Sequence, residues 1–71
     1  MKQLRAWRLR RFLTQRQLAE ALGVPYQTVQ RWESGRAFPR PSFLKRLCEV
    51  LQVEPDQLVT QEEFEGKARA A

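Results

Sequence analysis

The sequence predicts an all-α domain, and three observations carry that expectation. No segment alternates apolar and polar residues as a half-buried strand does. Apolar residues recur instead at helical spacing, most fully at Leu44, Leu47, Cys48 and Leu51, which stand at i, i+3, i+4 and i+7. Between such stretches stand residues that stop or start helices: Gly23, Pro25, Gly35, Pro39, Pro41 and Pro55. At 71 residues there is room for one small domain, which buries only about 60% of its unfolded surface. A large substrate cleft is not expected in so thin a core.

A first helix is expected from about Lys2 to Arg11, with Leu4 and Trp7 as an i,i+3 apolar pair. Thr14-Gln15-Arg16-Gln17 has the form of a capping box, in which the Thr14 hydroxyl accepts from the Gln17 N–H while the Gln17 side chain reaches back. The second helix follows, with Leu18, Ala19 and Leu22 on one stripe and Gly23 as its left-handed stop. Pro25 opens a third helix at or next to its first position, where a missing N–H is harmless. That helix runs to about Glu33 and stops at Gly35, with Val29 and Trp32 facing inward. Pro39-Arg40-Pro41 forces an extended link, and a fourth helix runs from about Pro41 to Leu51. Pro55 starts a short fifth helix with Leu58 and Val59. The domain is thus expected over residues 1–59. Residues 60–71 form an acidic, polar tail that either adds one helical turn or frays.

The chain has no histidine, and Cys48 is its only cysteine. That removes histidine-based triads, Cys–His nucleophile pairs and the usual zinc sets, so no catalytic residue, metal or cofactor is expected. Cys48 reads as a small core residue. No run approaches the roughly 20 apolar residues of a membrane span, and the charged start lacks the apolar stretch of a secretory leader. A single unpaired cysteine suits a reducing cytoplasm, which is the expected location.

The net charge is +5, and its distribution is more informative than its sum. Residues 1–47 carry eleven basic side chains against Glu20 and Glu33; residues 48–71 carry two against six acidic ones. The first two-thirds therefore favours an anionic partner. Ten of the thirteen cations are arginine, the better residue for bidentate contact with phosphate or guanine.

Gly23-Val24-Pro25 separates two short helices by a three-residue turn, a helix-turn-helix arrangement. On the third helix, a rotation of about 100° per residue gathers Tyr26, Gln27, Gln30 and Arg31 on the side opposite Val29 and Trp32. Glutamine can bond bidentately to adenine, and arginine to guanine, in a DNA major groove. Tyr26 can pack on a thymine methyl or donate to a phosphate. Blander readings stand beside these: the glutamines are good helix formers on a wet surface, Arg31 is a surface cation, and Tyr26 lies back on the turn. Candidates for phosphate contact are Thr14 and Gln15 at the start of the second helix, where free N–H groups favour an anion, and Arg36 and Arg40 flanking the next loop. Arg10, Arg11 and Arg16 are further cations.

These residues resemble the lambda-repressor/Cro-like helix-turn-helix domains, the XRE family. The resemblance spans Leu4 to Val59 and rests on Thr14-Gln15 with Leu18-Ala19 and Leu22-Gly23-Val24, followed by Val29, Trp32-Glu33 and Gly35. It implies a five-helix fold that binds B-form DNA as a dimer on an inverted repeat, its third helix in the major groove. It places base reading on Tyr26, Gln27 and Arg31, and backbone contact on Gln15, Ser34, Arg36 and Arg40. It also implies a structural ion pair between Arg8 and Glu33. Three residues depart from the family pattern. Phe12 stands where glycine is frequent, Pro25 replaces a Ser or Thr cap, and Pro41 adds a second proline to the following loop.

The expected function is a sequence-specific DNA-binding transcriptional regulator, a repressor, acting as a homodimer through Val53, Leu58, Val59 or Phe64 if these are not core. The alternative is an antitoxin or accessory subunit whose acidic end holds a protein partner. An RNA-binding or membrane-surface role for the Trp- and Arg-rich first helix is disfavoured, because Trp7 and Trp32 are better explained as core.

Overall fold

The computed structural model describes residues 1–70. Six helices follow one another: α1 (Leu4–Arg10), α2 (Gln15–Leu22), α3 (Tyr26–Ser34), α4 (Pro41–Leu51), α5 (Pro55–Leu58) and α6 (Gln61–Ala70). No strand occurs among the described residues, so the all-α class stands. The difference from expectation lies after Val59, where a sixth helix takes the place of a single turn or a frayed tail. Its start is locally encoded. The Thr60 hydroxyl accepts from the Glu63 N–H at 3.1 Å, and Glu62 and Glu63 occupy the first turn, where acidic side chains complement the helix dipole.

The core takes one stripe from each of the first five helices. Leu4, Leu18, Leu22, Val29, Leu47, Leu51 and Leu58 are fully buried, each contributing about 1.5–3 kcal/mol. Trp32 is buried and meets the Phe43 ring at 5.8 Å between centroids. Trp7 is half-buried; its indole N–H donates to the Gln57 carbonyl at 3.0 Å, joining α1 to α5. Leu58 and Val59 are core, whereas Val53 is half-buried and Phe64 is exposed. Cys48 corrects its reading as a core residue: it is half-buried against the cluster rather than inside it. Burial raises its thiol above the ordinary range, and the Glu54 and Glu49 carboxylates push the same way.

The first four helices end in the same way. In each, an N–H just past the helix bonds back to a carbonyl five residues earlier: Leu13 to Arg8 at 3.1 Å, Val24 to Ala19 at 3.0 Å, Arg36 to Arg31 at 2.9 Å and Val53 to Cys48 at 3.0 Å. This closure needs a left-handed residue at the corner. Gly23 and Gly35 supply it at φ 72° and 84°, but Phe12 and Gln52 must adopt φ 56° and 58°. The α1–α2 turn therefore keeps its geometry despite Phe12. The side chain does not retreat into the core either, being 91% exposed. Pro25 lies one residue before α3 at φ −62° and ψ 147°, with no side-chain cap. Arg40 takes the extended conformation its flanking prolines dictate.

A left-handed Phe12 costs about 1–2 kcal/mol of backbone strain and recovers little packing in return. Phe12→Gly should therefore raise stability by about 0.5–1 kcal/mol once glycine's extra unfolded-state entropy is subtracted. Urea denaturation followed by circular dichroism measures this, and a lower midpoint would show that the exposed ring contributes more than the strain removes.

Candidate nucleic-acid interface

The surface of interest is assembled where α1, α2 and α3 meet. The Thr14 capping box forms as the spacing predicts: the Thr14 hydroxyl accepts from the Gln17 N–H at 3.0 Å, and the Gln17 carboxamide oxygen accepts from the Thr14 N–H at 2.8 Å. This sets the start of α2. Its end at Gly23 turns the chain within Gly23-Val24-Pro25 and launches α3, whose Val29 and Trp32 are buried.

Burying those two residues turns the other side of α3 outward. Gln27, Gln30 and Arg31 are exposed, and none of their side chains has a hydrogen-bond or ion-pair partner among the described residues. Tyr26 is only half-exposed, partly packed on the core, and the Arg16 guanidinium lies over its ring at 4.0 Å. The tyrosine is therefore turned partly toward the core rather than fully outward with the other three residues.

One buried ion pair holds the three helices in register. Arg8 Nε donates to Glu33 Oε2 at 2.6 Å and Nη2 to Oε1 at 3.2 Å, while Nη1 donates to the Leu13 carbonyl at 2.8 Å. Both side chains are under 10% exposed. Gln15 joins them through Nε2, which donates to Glu33 Oε1 at 3.2 Å. Glu33 thus orients the glutamine while leaving its second amide proton uncommitted. Spacing along the chain carries no sign of this link between residues eighteen apart.

Beside the pair lies a hollow of about 430 Å³ lined by Arg5, Arg8, Gln15, Gln30, Glu33 and Ser34. It brings a base-reading candidate, Gln30, next to two backbone candidates, Gln15 and Ser34, and adds Arg5, which the sequence reading did not single out. Arg5 is one helical turn before Arg8, a signal that was available. Ser34 directs its hydroxyl to the Arg31 carbonyl at 3.2 Å. Thr14, Arg36 and Arg40 are exposed. Arg11 is drawn away to α4, where Nε donates to the Leu51 carbonyl at 2.7 Å and Nη2 to that of Gln52 at 3.3 Å. Arg10 rests over Trp7 at 4.9 Å.

Of the eleven basic side chains in residues 1–47, only Arg8 forms an ion pair among the described residues. Arg11 apart, which is committed to the Leu51 and Gln52 carbonyls, the other basic side chains carry charge that no internal carboxylate neutralises. No helix among the described residues is long and apolar enough to cross a membrane, and no group of three or more potential metal ligands occurs among them.

A family whose description is a helix-turn-helix domain matches residues 2–61. The chain is similar to the HTH-type transcriptional activator BcrR of Enterococcus faecalis, at 40% identity over 52 residues, covering 73% of this chain and 26% of that protein. It is also similar to the HTH-type transcriptional repressor RghR of Bacillus subtilis (strain 168), at 41% identity over 59 residues, covering 82% of this chain and 44% of that protein. The chain thus spans less than half the length of either curated relative. No solved structure matches at a comparable level of significance.

Removing one partner of the Arg8–Glu33 pair strands a buried charge, a loss of about 3–5 kcal/mol. That is a large share of the stability of so small a domain. Glu33→Ala and Arg8→Ala should each lower the thermal midpoint sharply, read by circular dichroism. A shift of only a degree or two would mean that the pair is solvated in solution.

Proposed function

The chain belongs to the helix-turn-helix domain family, and on that premise we propose that it is a sequence-specific double-stranded DNA-binding transcriptional regulator that binds an inverted repeat as a homodimer. The observation that carries the reading is the outward face of α3. Gln27, Gln30 and Arg31 are exposed without internal partners, in a region whose basic side chains are almost all unpaired. Major-groove base edges present the acceptors and donors that such side chains match. Gln27, Gln30 and Arg31 read bases, with Tyr26 at the leading end of the helix. Thr14, Gln15, Ser34, Arg36 and Arg40 contact the backbone and fix register. Chemistry on the DNA forms no part of this reading. The regulator acts by occupying its site, which makes it a repressor wherever that site overlaps a promoter.

The dimer uses the other end of the molecule. A groove of about 740 Å³ runs between α4, α5 and α6, with Leu44, Cys48, Val53, Val59 and Phe64 among its walls. With Leu58 and Val59 in the core, Val53 and Phe64 remain for contact. The same groove carries Glu49 and Glu54, which supports a second reading in which a basic protein partner, as for an antitoxin or accessory subunit, occupies it.

Selection from a random duplex library tests the main reading. The expected product is an inverted repeat with half-site centres about one helical turn apart; enrichment of no sequence overturns it. Within an enriched site, Arg31→Ala should lose about 1–3 kcal/mol and relax preference at one base pair. Arg36→Ala should weaken all sequences alike and flatten the salt dependence by about one unit. Phe64→Asp should convert the dimer to monomer in sedimentation equilibrium, and an unchanged dimer would place the interface elsewhere.

A further inference from the structure

The Arg16–Tyr26 contact joins the second residue of α2 to the first of α3. The guanidinium carbon stands 4.0 Å from the ring centroid, well inside the range for a cation over an aromatic face. Arg16 had a nearer choice: Glu20 lies one turn along the same helix face, where an ion pair can form. Among the described residues no such pair occurs, and no acceptor takes any guanidinium N–H of Arg16. The side chain is exposed, yet its head rests on a ring that is itself partly packed on the core. Stacking removes freedom from the side chain while leaving every N–H donor unused.

Resting on the reading above, we infer that Arg16 reads a guanine in each half-site, held in position by the ring of Tyr26. Tyr26 then acts as a positioning residue rather than a thymine reader, because the guanidinium occupies a face that would pack on a methyl. The N-terminal residues of the reading helix are those that reach base edges, and Arg16 projects its donors beside that end. A planar fork of donors there matches guanine O6 and N7 bidentately. A backbone phosphate would use the same donors, but a phosphate contact carries no base preference, so the two are separable.

Random duplex selection with the 71-residue chain and its Arg16→Ala, Arg16→Lys and Tyr26→Leu variants tests the assignment. Circular dichroism of each variant serves as the folding control. The wild type should enrich a site with a guanine that Arg16→Ala no longer prefers, its discrimination there falling roughly 5- to 150-fold. Arg16→Lys keeps the charge but not the fork and should not restore the preference. Tyr26→Leu should weaken preference at that same base pair. Equal weakening on every sequence in Arg16→Ala, with recovery in Arg16→Lys, would assign Arg16 to phosphate and overturn the inference. Loss at a different base pair in Tyr26→Leu would overturn the positioning role. Failure of the wild type to select any site would overturn the DNA-reading function itself. An unchanged site in Arg16→Ala would overturn only the role of Arg16.

Discussion

A guanidinium held almost out of water stays in place only if a carboxylate meets it, and here Glu33 meets Arg8 at 2.6 Å. Much of the domain's geometry depends on that pair. Arg8 belongs to α1 and Glu33 to α3, and the third nitrogen of the guanidinium takes the Leu13 carbonyl at the entrance to α2. The fork geometry of arginine lets one side chain tie three elements at once. Gln15 is attached to the same carboxylate, so the proposed interface and the core share a fixed point. A domain with so few fully buried side chains gains definition from such a polar link as well as from packing.

The helix ends show a second constraint. Short helices need abrupt, well-formed stops, and one closure, with its corner residue in the left-handed region, serves all four of the longer connections. Two glycines accept this without strain. Phe12 and Gln52 accept it because the surrounding bonds outweigh the local preference. At the Gln52 corner, Arg11 donates to the last carbonyl of α4, that of Leu51, and to the Gln52 carbonyl beyond it. A cation that charge counting offers to DNA is thereby committed to the fold.

Charge is divided between the two ends of the chain. Residues 1–47, which include the proposed reading surface, carry eleven of the thirteen basic residues, whereas α5 and the start of α6 are acidic. Apart from Arg8, the positive region is not neutralised by internal carboxylates among the described residues. The negative region lies by the apolar groove, away from the residues proposed to meet DNA.

Helices α2, α3 and α4, the capping box at Thr14, the stop at Gly23 and the outward placing of Gln27, Gln30 and Arg31, though not of Tyr26, were legible in the sequence. Each depends on residues within a turn or two of one another, where periodicity and capping chemistry act directly. The resemblance to lambda-repressor/Cro-like domains implied the Arg8–Glu33 pair, which no local pattern discloses. Tertiary structure alone decided that Arg11 caps α4, that Glu33 holds Gln15, that Arg16 covers Tyr26, and that Cys48 sits beside the core rather than in it. Those outcomes turn on where long side chains reach across gaps of ten to forty residues. Such reach is set by how the helices pack, and a period of 3.6 residues carries no information about it.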